Sequence, residues 1–426
     1  MRGNMRGAAL ALATATAVGC SGGRADGDGW RAETDTIGDT VVVRTLGGSA
    51  WGDSADLVEE VRVGSLEGAD AYVLGEPVAL AVDRHGGFYV VDSQVPVVRA
   101  YRSDGTYRTD IGREGGGPGE YQYPDGVAVL RDGRIAVRDP GNGRIDLYSP
   151  EGEALGDWPH PTGGAFRTDE PFYVDSTGVA YVTTLADVGA PPWEWSYILI
   201  GLDSAGGVVD TVPAPAFEYE AAVVRAAREN SQSVRRVPFT PEEVWAFAPG
   251  GYMVGAVTGA YRITLFRADA PPLRIERDSP PLVPVGREEA AERVARITEG
   301  IRRSYGDWRW NGPAVPSTKP PLRDLFVDED GRIWVVVSQQ ARAVVSADAA
   351  REEKLRTNRT PIRFEEPPAF DVFDARGRFL GPVRAPASLR LEPTPVARGD
   401  SLWGVVRDSI GVPAVVRFRI RHDRHG

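Results

Sequence analysis

Cysteine is nearly absent from this 426-residue chain: Cys20 stands alone. That excludes intrachain disulfides and any multi-cysteine metal cluster. Histidine is almost as scarce, with only His85, His160, His422 and His425, which leaves little from which to build a zinc site. Lysine is confined to Lys319 and Lys354, the other cations being arginines, a bias that a GC-rich genome accounts for without a functional demand. The formal charge of −11 leaves no basic footprint for nucleic acid.

What the chain does have is glycine and proline, 50 and 33 residues, spread between apolar runs rather than massed in one tract. That distribution argues for many turns in a packed fold, not for disorder. The turns punctuate a recurring unit. Pro77–Tyr101 (PVALAVDRHGGFYVVDSQVPVVRAY) and Pro124–Tyr148 (PDGVAVLRDGRIAVRDPGNGRIDLY) each hold an apolar strand, a turn with Gly nine residues after the Pro, a second strand ending in Asp and a third ending in Tyr. Asp104-Gly105 and Glu151-Gly152 supply hairpin turns before a fourth strand. Less exact copies start near Glu170, Pro241, Arg323 and Thr394. The last stops after its third strand. Repetition of this kind implies small sheets that bury their faces against their neighbours, and a short final copy implies completion by an N-terminal strand, which removes an exposed edge. Thr40–Thr45 and Leu57–Val63 are the candidates. The expected fold is all-β: a six-bladed β-propeller of four-stranded antiparallel blades over residues 39–422, closed by an N-terminal strand.

The N-terminus reads as an address. Arg2 and Arg6 precede the uncharged stretch Gly7–Gly19, too short to span a membrane as a helix. The run TAVGC, ending at Cys20, resembles a bacterial lipobox, although Ala17 stands where Leu is usual. The resemblance implies a signal peptide over 1–19, lipidation of Cys20 and a polar tether over 20–38. Ser21, rather than Asp, follows the cysteine, which favours the outer membrane.

The turns DRHGGFYVVD and RDGRIAVRDPGNGRIDLY and the connecting loop IGREGGGPGEYQYPDG resemble the six-bladed, NHL-repeat-like propeller lipoproteins of bacteria. The resemblance is strong over the first two blades, while long insertions set blades three to five apart. It implies the fold and an envelope location. It implies no particular activity, because the family is mostly of unknown function.

Two insertions read as helical. Ala290, Val294, Ile297, Ile301 and Tyr305 recur at spacings of three and four, predicting an amphipathic helix over about 287–305 that docks on the propeller. A weaker pattern predicts a helix over about 216–230. The charged stretch 341–360 reads as a loop over one face.

For chemistry, aligning the blades on their turn glycines or equivalents places Val78, Asp125, Glu170, Glu242, Arg323 and Glu392 eight residues before the turn. These positions begin the innermost strands, so four carboxylates and an arginine are expected to ring one mouth of the central channel. Converging carboxylates raise one another's pKa or recruit a cation. That admits Ca²⁺, an amine or a basic peptide, against the plainer reading of solvated side chains. Trp193, Trp195 and Tyr197 form one aromatic cluster, and Trp308 and Trp310 beside Tyr305 another; each is a stacking platform or a packed lid. Trp245, Trp334 and Trp403 read as core. Asp92, Asp139 and Asp408 read as turn-holding aspartates. The glycines of Gly112–Glu120 suggest a phosphate loop, but a strand rather than a helix follows and Pro118 removes a donor, so a tight inter-blade passage is expected.

Two functions follow. The first is a non-catalytic, envelope-anchored binding scaffold with a protein or small-ligand partner, no nucleic acid and no cofactor. The alternative is a Ca²⁺-dependent, lactonase-like hydrolase using the channel-mouth carboxylates, although the channel-facing Asn usual in such enzymes has no counterpart that can be placed here.

Overall fold

Continuous apolar runs between glycine turns put apolar side chains on both faces of a short strand, and both can be buried only if further sheets stack on each side. The computed structural model, which describes residues 29–422 except 162–170, 188, 190–194, 230 and 279, meets that requirement as a β-propeller. Among the described residues, six four-stranded antiparallel units follow one another. Their innermost strands are Pro77–Val82, Gly126–Val129, Tyr173–Val174, Glu243–Ala248, Leu322–Val327 and Val396–Arg398.

Each neighbouring pair of blades shares an apolar core. Tyr89, Val98, Ile135 and Val137 fill the first, Ala136, Ile145, Val182 and Leu202 the second, and Tyr181 with Phe247 the third. Ile263, Ile275, Ile333 and Phe373 pack between blades four and five, and Trp334, Phe370, Leu402 and Phe418 between five and six. The ring closes where Val82, Phe88 and Tyr101 of the first blade meet Trp403 and Val415 of the last. Trp334 and Trp403 are core as expected, at 0% and 4% exposed.

The N-terminal segments separate the two closing candidates. The last blade is completed by Ala55–Val63 (β3), antiparallel to Pro413–His422. Thr40–Gly47 (β2) instead runs parallel to Leu273–Arg277 on the outer edge of the fourth blade. Arg31–Ile37 (β1) pairs with β2 across a turn at Gly38, whose φ of 66° suits glycine. The expected tether at 20–38 is therefore a strand over Arg31–Ile37; its residues 20–28, the signal peptide 1–19 and Cys20 itself lie outside the described residues. Polar composition misled here, because an edge strand exposed along nearly its whole length needs little apolar content.

Of the two predicted helices, Arg287–Tyr305 (α1) forms. The segment predicted helical at 216–230 does not. It contributes Val223–Arg228 to a hairpin with Ser231–Arg236, in which Val224 and Ala226 are buried while Arg225 and Ala227 are exposed, a period of two rather than 3.6. Their buried side packs on Ile301 and Tyr305, so α1 docks on its own chain. The stretch 341–360 is not all loop, since Ala347–Thr357 (α2) is helical. It starts where Ser346 Oγ accepts from the Ala349 N–H at 3.2 Å and stops at Asn358 in the left-handed region. No helix among the described residues is long and apolar enough to cross a membrane.

Candidate functional site

The innermost strands of all six units line a central cavity of about 1080 Å³. Its wall includes the part-exposed apolar side chains Ala79, Val129, Val174, Trp245 and Val327, and it is charged at both mouths. Trp245, expected in the core, is half-buried: it packs against the core of Tyr181 and Phe247 and also lines this cavity. At the mouth where the innermost strands begin, a side recess of about 310 Å³ opens between blades four, five and six. Its lining includes Glu242, Lys319, Arg323, Asp324, Ser338 and Glu392, and it shares Asp324, Leu391 and Glu392 with the main channel.

The expected ring of charges is only partly assembled. Asp125 Oδ1 accepts from Arg138 Nε at 2.6 Å, both side chains being buried, so its charge is already compensated. Arg138 and burial together hold His160 neutral, with a pKa pushed down to about 4 chiefly by burial. Glu242 pairs with Arg236 at 2.8 Å on the surface. Glu392 lines both cavities, Val78 lines the main one, and Glu170 lies outside the described residues.

Arg323 is where the register of the alignment fails. Leu322 pairs with Val337 and Asp324 with Val336, so Arg323 is the extra residue of a β-bulge. It turns toward Glu366, 3.5 Å away, and delivers its neighbour Asp324 to the channel. The same bulge recurs at Val78. Asp324 is the residue the sequence alignment missed by one position. Its side chain is solvent-accessible from the cavity, but the surrounding protein pushes its pKa up to about 6; the Leu325 N–H, from which it accepts at 2.8 Å, and Arg323 oppose that shift, and Glu242 and Glu392 add to it.

The opposite mouth, formed by the turns after the innermost strands, carries Asp83, His85, Arg131, Asp175, Glu329 and Arg398. Glu329 pairs with Arg398, but burial outweighs that partner and raises its pKa to about 7. Arg398 also reaches the Asp83 carbonyl of the first blade, tying the ring at its seam. Asp175 is consumed by its turn, accepting from the N–H groups of Thr177, Gly178 and Val179 at 2.8, 2.8 and 3.0 Å.

Asp92 and Asp139 are structural as expected. Each accepts two N–H groups of the preceding inter-blade loop, Gly75 and Glu76 for Asp92, and Gln122 and Tyr123 for Asp139. Asp408 holds its turn through Ile410 and Val412. In Gly112–Glu120 the free N–H of Gly117 is taken by Glu120 at 2.8 Å. Gly112 has a φ of 73° and packs where a Cβ would lie 2.3 Å from the Tyr121 ring, so its glycines serve a close passage between blades. Trp308 and Trp310 are half-buried in the cluster joining α1 to the hairpin, their indole N–H groups donating to the Arg225 and Pro313 carbonyls. They pack as a lid. Trp195 is 38% exposed and Trp193 lies outside the described residues.

The described part of the ring does not fit a calcium ion. Two of its carboxylates are spent on arginines, and among the described residues no three His, Cys, Asp or Glu side chains are grouped to hold a metal.

No protein-family model matches the chain, and no curated protein matches it. Solved structures do. One is a Bacteroides fragilis protein designated as exported, 10% identical, covering 86% of this chain and 95% of its own, with a TM-score of 0.44. A DUF4221 family member from Bacteroides vulgatus is 8% identical, covering 87% and 99%, with a TM-score of 0.42. A gluconolactonase from Xanthomonas campestris is 14% identical, covering 85% and 97%, with a TM-score of 0.37. At these identities and scores nothing about activity passes from them to this chain.

The raised pKa of Asp324 has a testable sign. Between about pH 4 and 6 the folded protein keeps a proton that the unfolded chain releases, so this residue lowers stability as pH rises through that window. Asp324→Asn is expected to raise the melting midpoint by a few degrees near neutral pH and to leave it unchanged below about pH 4. Differential scanning calorimetry at the two pH values checks this, and an equal effect at both would show that the carboxylate is not so perturbed.

Proposed function

We propose that this protein is a non-catalytic binding protein of the cell envelope, lipid-anchored through Cys20, that takes its ligand in the central channel. One observation carries the reading: a cavity of about 1080 Å³ lined by all six innermost strands, with part-exposed apolar side chains on its wall and charge at its mouths. That size and mixture suit a small organic ligand, whose apolar body is removed from water while a few polar groups fix its orientation. The basic start Arg2 and Arg6, the short apolar stretch and Cys20 support the anchored location. Calcium-dependent hydrolysis finds no support in the described carboxylates, and the reading therefore requires no metal.

The uncharged solvatochromic dye Nile red tests the channel. Its fluorescence is expected to rise with the wild-type protein, in chelator as in buffer. Ala79→Trp, which puts an indole into the half-open space beside Ala79, should lose most of that rise while keeping the wild-type circular dichroism. Equal fluorescence from both folded proteins sinks the channel reading.

A further inference from the structure

The side recess adds a chemical preference to that channel. Among the described residues, neither Asp324 nor Glu392 has an ion-pair partner within the recess. Both carboxylates are solvent-accessible, and the cations that line the same recess, Lys319 and Arg323, are already engaged by Glu289 and Glu366, so a cation supplied from outside can pair with Asp324 and Glu392. Beside them Ser338 is only 6% exposed and lines the same recess, and its Oγ has no hydrogen-bond partner among the described residues. Buried hydroxyls are almost always paired, so an orphan lining a cavity marks a place where a further polar atom belongs.

The protein already shows how it holds an ammonium in this region. Lys319, 2% exposed, donates to Glu289 at 2.7 Å and to the Gln339 carbonyl at 3.3 Å, and lies 3.0 Å from Glu366. Two carboxylates and a neutral oxygen thus serve the three N–H donors of one ammonium. Asp324, Glu392 and Ser338 supply the same kinds of acceptor, two carboxylates and a neutral oxygen, to the wall of the recess. Because Asp324 and Glu392 also line the main channel, a head group held here leaves its tail in that channel, whose wall includes the part-exposed Val327.

We infer that the ligand is a primary amine with an apolar body, its ammonium held by Asp324, Glu392 and Ser338 and its body in the channel. This rests on the channel reading above. The Glu242 and Glu392 charges that disfavour ionised Asp324 become favourable once the ammonium is in place.

The test is calorimetric titration with octylammonium, octanol and octanoate, each below its micelle-forming concentration, alongside the Nile red assay. Octylammonium is expected to bind at least about tenfold more tightly than octanol, and octanoate more weakly still. Asp324→Asn and Glu392→Gln should each weaken octylammonium by about tenfold or more, the scale of a charge-assisted hydrogen bond. Ser338→Ala should weaken it less. Glu59→Gln, on β3 and paired with Arg62 outside the channel, should leave it unchanged. Equal binding of the three compounds overturns the amine preference while Nile red binding keeps the channel reading intact. So does an octylammonium preference that survives Asp324→Asn but is lost in Glu329→Gln at the far mouth, or failure of all three compounds when Nile red still binds. Loss of dye and amine binding together overturns both.

Discussion

Deletion of Ala55–Val63 is expected to yield a chain that does not reach a soluble monomer. β3 is the fourth strand of the last blade, paired with Pro413–His422 along almost its whole length and with Val383 and Arg384 of the fifth blade on its other side. It buries Ala55 and Leu57 in one inter-blade core and Val63 in another. Without it, the long strand Pro413–His422 becomes an unpaired edge with apolar neighbours, a template for association with other chains. Deletion of residues 29–47 is the control. It removes β1 and β2, which add to the outside of a blade that already has four strands, although Val42 and Val43 lose their burial. Size-exclusion chromatography is expected to show aggregate for the first deletion and a less stable monomer for the second. A monodisperse, folded chain lacking β3 would mean that the last blade stands with three strands.

Lys319→Met is expected to destabilise the protein by about 3–5 kcal/mol, the cost of leaving buried charge uncompensated. The side chain of Lys319 is 1% exposed, and its ammonium lies between Glu289 of α1 and Glu366, both nearly as buried. Glu289 also accepts from the Gly286 N–H at the start of α1, so the same carboxylate fixes the helix to the blade. The triple variant Lys319→Met, Glu289→Gln, Glu366→Gln should recover much of the loss, because replacing a whole buried ionic group by neutral side chains is often nearly neutral. Denaturant midpoints for the single and triple variants check this. A single variant as stable as wild type would show that the trio makes no net contribution.

The repeat was legible because its turns are chemically explicit. Gly86, Gly133, Gly178 and Gly331 all adopt positive φ at equivalent places, and a register anchored on them located the blades and the mouth of the channel. The individual site residues were harder to read. A β-bulge at Arg323 shifts one blade by a residue, and spacing in sequence cannot distinguish a bulged strand from a regular one, so Asp324 was passed over for its neighbour. Partners were invisible too: Asp125 and Glu242 look like free carboxylates until Arg138 and Arg236 are folded beside them. Ser338 carried no signal at all, since an unpaired hydroxyl is defined by its surroundings. The 216–230 segment failed for a different reason. Its hairpin and α1 bury each other, so the decisive contacts are tertiary and override a weak local pattern.

The closing strand also sets an order of events during synthesis. β3 leaves the ribosome before the first full blade, yet Glu60 meets Arg419 across 359 residues of sequence. Its partner strand follows every other blade in the sequence, so the chain must carry an unsatisfied β edge until those blades exist. Contacts so distant in sequence close slowly. In a chain threaded through a membrane from its N-terminus, this interval places the segment around β3 in reach of holding chaperones and proteases before the ring can lock.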